Sequence, residues 1–140
     1  MMSKKSIYAF AVILLLVAGC GQRPVSYSRD VNQIFQDNCS VCHQSGGPGF
    51  VQSGFSVATY QDVMKGTKYG PVVIPGNSVG STLVRLVRHQ AGKTIDMPKN
   101  YAIDLTQPGS IVLPGVDART LPAPDVETIA KWIDQGAKNN

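Results

Sequence analysis

The chain has only two histidines, three cysteines and one tryptophan in 140 residues, and these shortages remove whole classes of chemistry. A closed structural zinc site takes four Cys or His ligands. A CxxC pair at Cys39 and Cys42 is present, but a second pair of soft ligands is missing, and His89 is the only histidine besides His43. Charge is also sparse, at 16% of residues and a net +4, with no basic cluster of the kind that tracks a nucleic-acid backbone. No internal repeat or low-complexity tract is visible. The apolar run near the start falls short of the roughly 20 residues that a membrane span requires. An odd number of cysteines in an exported chain normally prompts a search for a leftover thiol.

What is present begins with an export signal. Lys4 and Lys5 precede an apolar run from Ile7 to Val17, and small residues Ala18-Gly19 follow, the three parts of a secretory leader. The next residue is Cys20, and Val17-Ala18-Gly19-Cys20 resembles the lipobox of bacterial lipoproteins. That resemblance implies cleavage before Cys20, a diacylglycerol on its thiol, and a cell-envelope protein whose domain faces the periplasm or exterior. Gly21 stands where inner-membrane-retained lipoproteins often carry Asp, which leaves outer-membrane sorting open. An ordinary signal peptide, or an uncleaved anchor with an incidental cysteine, is the competing reading. The expected division is a signal peptide over 1–19, a lipidated cysteine and tether over 20–26, and one domain over 27–140. Loss of Lys4 and Lys5 with the leader lowers the net charge from +4 to +2. The mature length suffices for one domain with a single core.

Cys39-Ser40-Val41-Cys42-His43 is the densest chemical signal. Two thiols three residues apart followed at once by an imidazole suit a c-type haem. The sulfurs can add across the two porphyrin vinyl groups, and His43 is then close enough to bind iron from the proximal side. On a helix, positions i, i+3 and i+4 share one face, so all three side chains can point at one macrocycle. A thioredoxin-like dithiol would need a βαβ context that the sequence does not offer. With Cys20 assigned to lipid and Cys39 and Cys42 to one covalent haem, no thiol is left over and no disulfide is expected.

Hydrophobic spacing predicts four helices separated by Gly- and Pro-rich loops, hence a small all-α domain. The first spans about 28–43, with Ser28 as cap and Val31, Ile34 and Phe35 on one stripe that Cys39 and Cys42 extend. Ser45 to Gly49 reads as a loop. A short second helix spans 59–65, with Tyr60, Val63 and Met64 on one face and Gly66 at its end. Residues 71–76 are extended, because Pro71 and Pro75 disfavour helix before them. A third helix spans about 78–90 through Val79, Leu83, Leu86 and Val87. The last spans about 124–135, with Pro124 in its first turn, Asp125 and Glu127 complementing its N-terminus, and Trp132 on the flank of its apolar stripe. The segment 100–123 is long for a connection, and Ser110 to Leu113 is a candidate short strand.

The second axial position decides what kind of haem protein this would be. Met97-Pro98 lies in a polar, loop-like stretch, and a thioether is a soft, neutral ligand that favours ferrous iron. Packing alone would be the bland account of Met97, and it suffices for Met64, which sits in a helical apolar stripe. His89 is the alternative distal ligand, and would give a lower-potential bis-histidine centre.

Taken together, the pentapeptide at the end of a first helix, Met97-Pro98 in a late loop and a terminal amphipathic helix resemble a class I cytochrome c. More narrowly, Val73-Ile74-Pro75-Gly76-Asn77-Ser78, Ser81 to Val87 and Trp132-Ile133-Asp134-Gln135-Gly136-Ala137 resemble the planctomycete-type cytochrome c domain over about residues 27–137. The resemblance implies that the first and last helices cross beside the haem, pairing Val31 and Phe35 with Ile129 and Ile133. It also implies electron transfer between redox partner proteins, with no small-molecule substrate. Lys65, Lys68, Arg88, Lys93 and Lys99 would be available to steer an acidic partner. The other functional class is a haem enzyme or gas sensor with an open distal site, such as a small peroxidase. An accessory haem subunit of a respiratory complex would share the first mechanism.

Overall fold

The computed structural model describes residues 23–99, 102–103, 111–112 and 120–140. The leader and Cys20 lie outside the described residues. Among the described residues, five α-helices follow an opening π-helical turn, Tyr27–Val31. They are α1, Asn32–Asn38; α2, Pro48–Ser53; α3, Tyr60–Lys65; α4, Thr82–Val87; and α5, Ala123–Asp134. Two-residue strands β1, Ala102–Ile103, and β2, Ile111–Val112, pair antiparallel, where a short strand was expected around residue 111. The architecture is otherwise the small helical domain that the spacing predicts.

Several boundaries differ from expectation, each for a local reason. Ser26, not Ser28, caps the first turn and accepts from the Arg29 amide, while the Ser28 hydroxyl donates to the Asn140 carbonyl. The first helix stops at Asn38 instead of continuing to His43. There the Asn38 amide donates to Ile34 O at 2.9 Å and the Ser40 hydroxyl to Gln36 O at 2.6 Å. The Ser40 hydroxyl thus takes the carbonyl that the Ser40 amide would bond in a further α-turn, and that amide goes to Phe35 O instead. Helix α2 forms partly inside the expected loop, because Pro48 suits a first helical turn and Gly54, at φ 76°, adopts the left-handed conformation that ends it. Helix α4 is shorter than predicted at both ends. Before it, Asn77 Oδ1 accepts from the Gly80 amide and the Ser81 hydroxyl donates to Asn77 O, which holds a turn and leaves Val79 exposed at 75%. After it, His89 turns left-handed at φ 55°.

The core lies where the first helical segment meets α5. Val31, Phe35, Ile129 and Ile133 are all at most 1% exposed and belong to one cluster. Burial of each side chain is worth roughly 1.5–3 kcal/mol. Trp132 is not on the flank: it is 1% exposed, sits 5.5 Å from the Tyr27 ring, and donates its indole N–H to the Lys138 carbonyl at 2.9 Å. Its burial follows from the C-terminal residues folding back over it. The tether's last residues also join the domain. Arg23 binds Asp30 through both guanidinium nitrogens at 2.7 and 2.8 Å, and the Val25 amide donates to Gln135 Oε1 at 2.8 Å.

Candidate haem-attachment site

The attachment pentapeptide occupies a turn directly beyond α1. The Cys39 amide still donates to Phe35 O at 2.9 Å, the His43 amide to Cys39 O at 2.9 Å, and the Cys42 amide to Cys39 O at 3.2 Å. One compact turn therefore carries all three groups although the regular helix has ended. Cys39 and Cys42 are half-buried and no disulfide joins them. Burial pushes the Cys42 thiol above its usual range, so it remains a neutral thiol near pH 7.

The His43 ring is fixed from two sides. Its Nδ1 lies 3.2 Å from the Phe55 carbonyl oxygen, which can only accept, so Nδ1 carries the proton and Nε2 keeps its lone pair. The Phe55 ring stands edge-on at 5.3 Å between centroids and 67° between planes. Burial holds the imidazole pKa below its ordinary value despite the opposing hydrogen bond from Phe55, which favours the neutral, ligating form. Residue 55 is held in turn by its neighbours, since the Val57 amide donates to His43 O at 2.8 Å.

Helix α2 closes against this turn, with the Phe50 amide donating to Cys42 O at 2.9 Å. Two glycines permit that approach. A Cβ on Gly47 would lie 2.6 Å from Cys42 O, and one on Gly49 would lie 2.7 Å from His43 Cε1 and 2.9 Å from Nε2. Phe55, Gly47 and Gly49, which pack against Cys42 and His43, are residues of the candidate site that spacing did not identify. The one available signal was the pair of glycines just after the pentapeptide, where a backbone must pass a planar ring closely.

Met97 stands on a loop held by a buried carboxylate. Asp96, 5% exposed, accepts from the Ala91 and Gly92 amides at 3.0 and 3.1 Å. The Met97 amide then donates to Leu86 O at 3.1 Å, tying this half-buried residue to the end of α4. His89 faces elsewhere. It borders a cavity of about 240 Å³ between α4 and α5, together with Val87, Leu121 and Val126, and its buried Nε2 has no hydrogen-bond partner. A larger groove of about 530 Å³ runs between the first helical segment and α5. Neither space is bordered by Cys39, Cys42, His43 or Met97. Of the five basic residues considered for steering, Arg88 is paired with Glu127 at 2.7 Å and Lys99 donates to Lys93 O at 2.8 Å. Lys65, Lys68 and Lys93 remain exposed.

The donor set fits a haem: two thiols and a neutral imidazole on one turn, with the imidazole's tautomer set by a backbone acceptor and its Cε1–Nε2 edge cleared by a glycine. Among the described residues no cluster of three or more His, Cys, Asp or Glu could hold a bare metal ion. No curated protein matches the chain. The fold resembles a chain of the Kuenenia stuttgartiensis hydrazine synthase at a TM-score of 0.52 and 20% identity. That likeness covers 86% of this chain but only 17% of the other, so it speaks for the fold. Residues 39–100 match the planctomycete cytochrome C family, a span that runs from Cys39 past Met97. That segment is thus similar to the planctomycete-type c-type cytochromes, and it lies within the helical fold described above.

Proposed function

We propose that the protein is a lipid-anchored, monohaem c-type cytochrome of the bacterial cell envelope that passes single electrons between redox partner proteins. Cys39 and Cys42 hold the haem through thioether bonds, His43 is the proximal ligand and Met97 the distal one. The observation that carries this reading is the His43–Phe55 hydrogen bond at 3.2 Å. A buried histidine with its Nδ1 proton committed to a backbone carbonyl presents Nε2 as a lone-pair donor, the usual arrangement of an oriented metal-ligating imidazole.

Bound haem would supply an iron that alternates between ferric and ferrous states. The protein's share is to fix two ligands and limit reorganisation. Phe55 O and the Phe55 ring hold the imidazole orientation, Gly49 clears its edge, and Asp96 fixes the loop backbone from which the Met97 thioether extends. A neutral thioether and a neutral imidazole together would favour the ferrous state of a bound haem relative to bis-histidine ligation. His43 and Met97 would together hold the iron of a bound haem, which favours a carrier over an enzyme.

Optical spectroscopy of the purified holoprotein tests the assignment. The ferric protein should show a far-red methionine-to-iron charge-transfer band that disappears in Met97→Ala. A band that survives this substitution overturns the ligand. Ready carbon monoxide binding to the reduced wild type would favour an open-site enzyme or sensor. For the anchor, Cys20→Ser should release the protein from membranes.

A further inference from the structure

We propose that the loop Ile74 to Gly80 is the membrane-facing surface of the domain and rests on the bilayer that carries the lipid anchor. The inference builds on the lipidation of Cys20 in the preceding section. From Cys20 to Arg23 the chain spans three residues, about 10 Å when fully extended. Arg23 is not part of a loose leash: it is held by Asp30 through two hydrogen bonds, and Val25 is held by Gln135 and Asn140. The end of the domain where the chain enters is therefore kept within about one bilayer-headgroup depth of the lipid.

That same end carries the loop. Gln135 binds Val25, and its neighbour Asp134 accepts from both the Ser78 amide and the Ser78 hydroxyl at 2.8 and 2.9 Å. The Gly76 amide donates to Ile133 O at 2.7 Å. The loop presents Ile74 at 46% and Val79 at 75% exposure. It lies within the uncharged stretch between Lys68 and Arg85, so the loop brings no charged side chain of its own to a headgroup layer. Exposed apolar side chains on a turn with no charges suit shallow contact with the acyl boundary. The short tether keeps the bilayer within reach of this loop through Val25 and Gln135, which favours lipid over a second copy or a protein partner.

A functional consequence follows. From Tyr27, the five-residue π-helical turn and seven-residue α1 carry the chain roughly 18 Å towards the Cys39–His43 turn at the ordinary helical rise. The haem-attachment turn and its exposed neighbours Val41 and Val51 lie at the opposite end of the first helical segment. That end is left open to partners arriving from the aqueous side.

Hydroxyl-radical footprinting of the lipidated holoprotein on vesicles of phosphatidylethanolamine and phosphatidylglycerol tests this. The soluble Cys20→Ser holoprotein serves as reference, and the haem spectrum reports folding of both. Oxidation of Ile74 and Val79 should fall several-fold on vesicles, while that of Val41 and Val51 stays unchanged. Recovery on vesicles with Ile74 and Val79 still fully reactive overturns the orientation and leaves the anchor standing. If the wild type is not retained by membranes, the anchor fails and the orientation with it. Protection that appears without vesicles and grows with protein concentration would assign the loop to a second copy instead, and would equally overturn the proposal.

Discussion

Replacing Gly49 by alanine sets two effects of opposite sign against each other. Gly49 lies inside α2, and glycine in a helix is less favourable than alanine by up to about 1 kcal/mol, so propensity alone predicts a more stable protein. The added Cβ, however, would lie 2.7 Å from His43 Cε1, 2.9 Å from its Nε2 and 3.0 Å from Cys42 O. Ordinary carbon contacts are near 3.5–4.0 Å, so the shortfall approaches 1 Å on the ring side. The ring cannot yield freely, because Nδ1 is bound to Phe55 O. The Cys42 carbonyl cannot either, because it accepts the Phe50 amide. Overpacking of this kind costs about 1–3 kcal/mol, which outweighs the propensity gain and leaves a net loss of about 1–2 kcal/mol. Guanidinium unfolding of the ferric holoprotein, followed at the haem absorbance, measures it. Val51→Ala, on the same helix and 71% exposed, is the control and should change stability by less than about 0.5 kcal/mol. A Gly49→Ala protein at least as stable as wild type, with an unaltered spectrum, would refute the close packing of α2 on the His43 ring.

Three further substitutions probe other parts of the account. Trp132→Phe removes the indole bond to Lys138 O and leaves a void in the core, so the unfolding free energy should fall by about 2–3 kcal/mol; an unchanged midpoint would contradict the burial of Trp132. Asp30→Asn tests the clasp at the tether. The Arg23 hydrogen bond, assisted by the Ser26 amide, holds the Asp30 carboxyl below its usual 3.8. Its stabilising effect is thus complete above that value and is lost as the pH falls below it. Arg23 is 63% exposed, so solvent screening keeps the effect small. The stability difference between wild type and Asp30→Asn should therefore be present near neutrality and vanish on acidification past the unfolded value; a difference that grows in acid would reverse the sign argument. His89→Asn keeps a residue tolerant of the left-handed conformation. It should leave the axial-ligand spectrum intact and stability within about 1 kcal/mol; a changed spectrum would make His89 a ligand.

The chemistry of the site was legible in the sequence because it resides in covalent spacing. Cys39, Cys42 and His43 are proposed from their distance along the chain, and Met97 from the scarcity of competing soft ligands. The apolar stripes of the first and last helices were readable for a similar reason, since Val31, Phe35, Ile129 and Ile133 repeat at helical intervals. What positions these groups was not legible. The acceptor for His43 is a backbone carbonyl, which carries no side-chain signature, and the buried Asp96 binds amides of its own loop. Helix α2 was hidden because Pro48-Gly49 is a loop signal unless the proline stands at a first helical turn. Val79 satisfied a helical period, yet local bonds from Asn77 and Ser81 fixed a turn there. Trp132 looked marginal because its cover, the chain around Lys138, folds back from beyond the helix.

The account's central claim is one haem joined covalently to the Cys39–Cys42 pair, and intact-mass spectrometry of the denatured protein tests it most directly. The chain should be produced in a host with haem-maturation machinery. The account predicts a mass equal to the polypeptide plus one haem that persists through acid and organic extraction. In Cys39→Ala/Cys42→Ala the adduct should be lost. Recovery of the wild-type chain at its bare polypeptide mass, with any haem extracted, would contradict it.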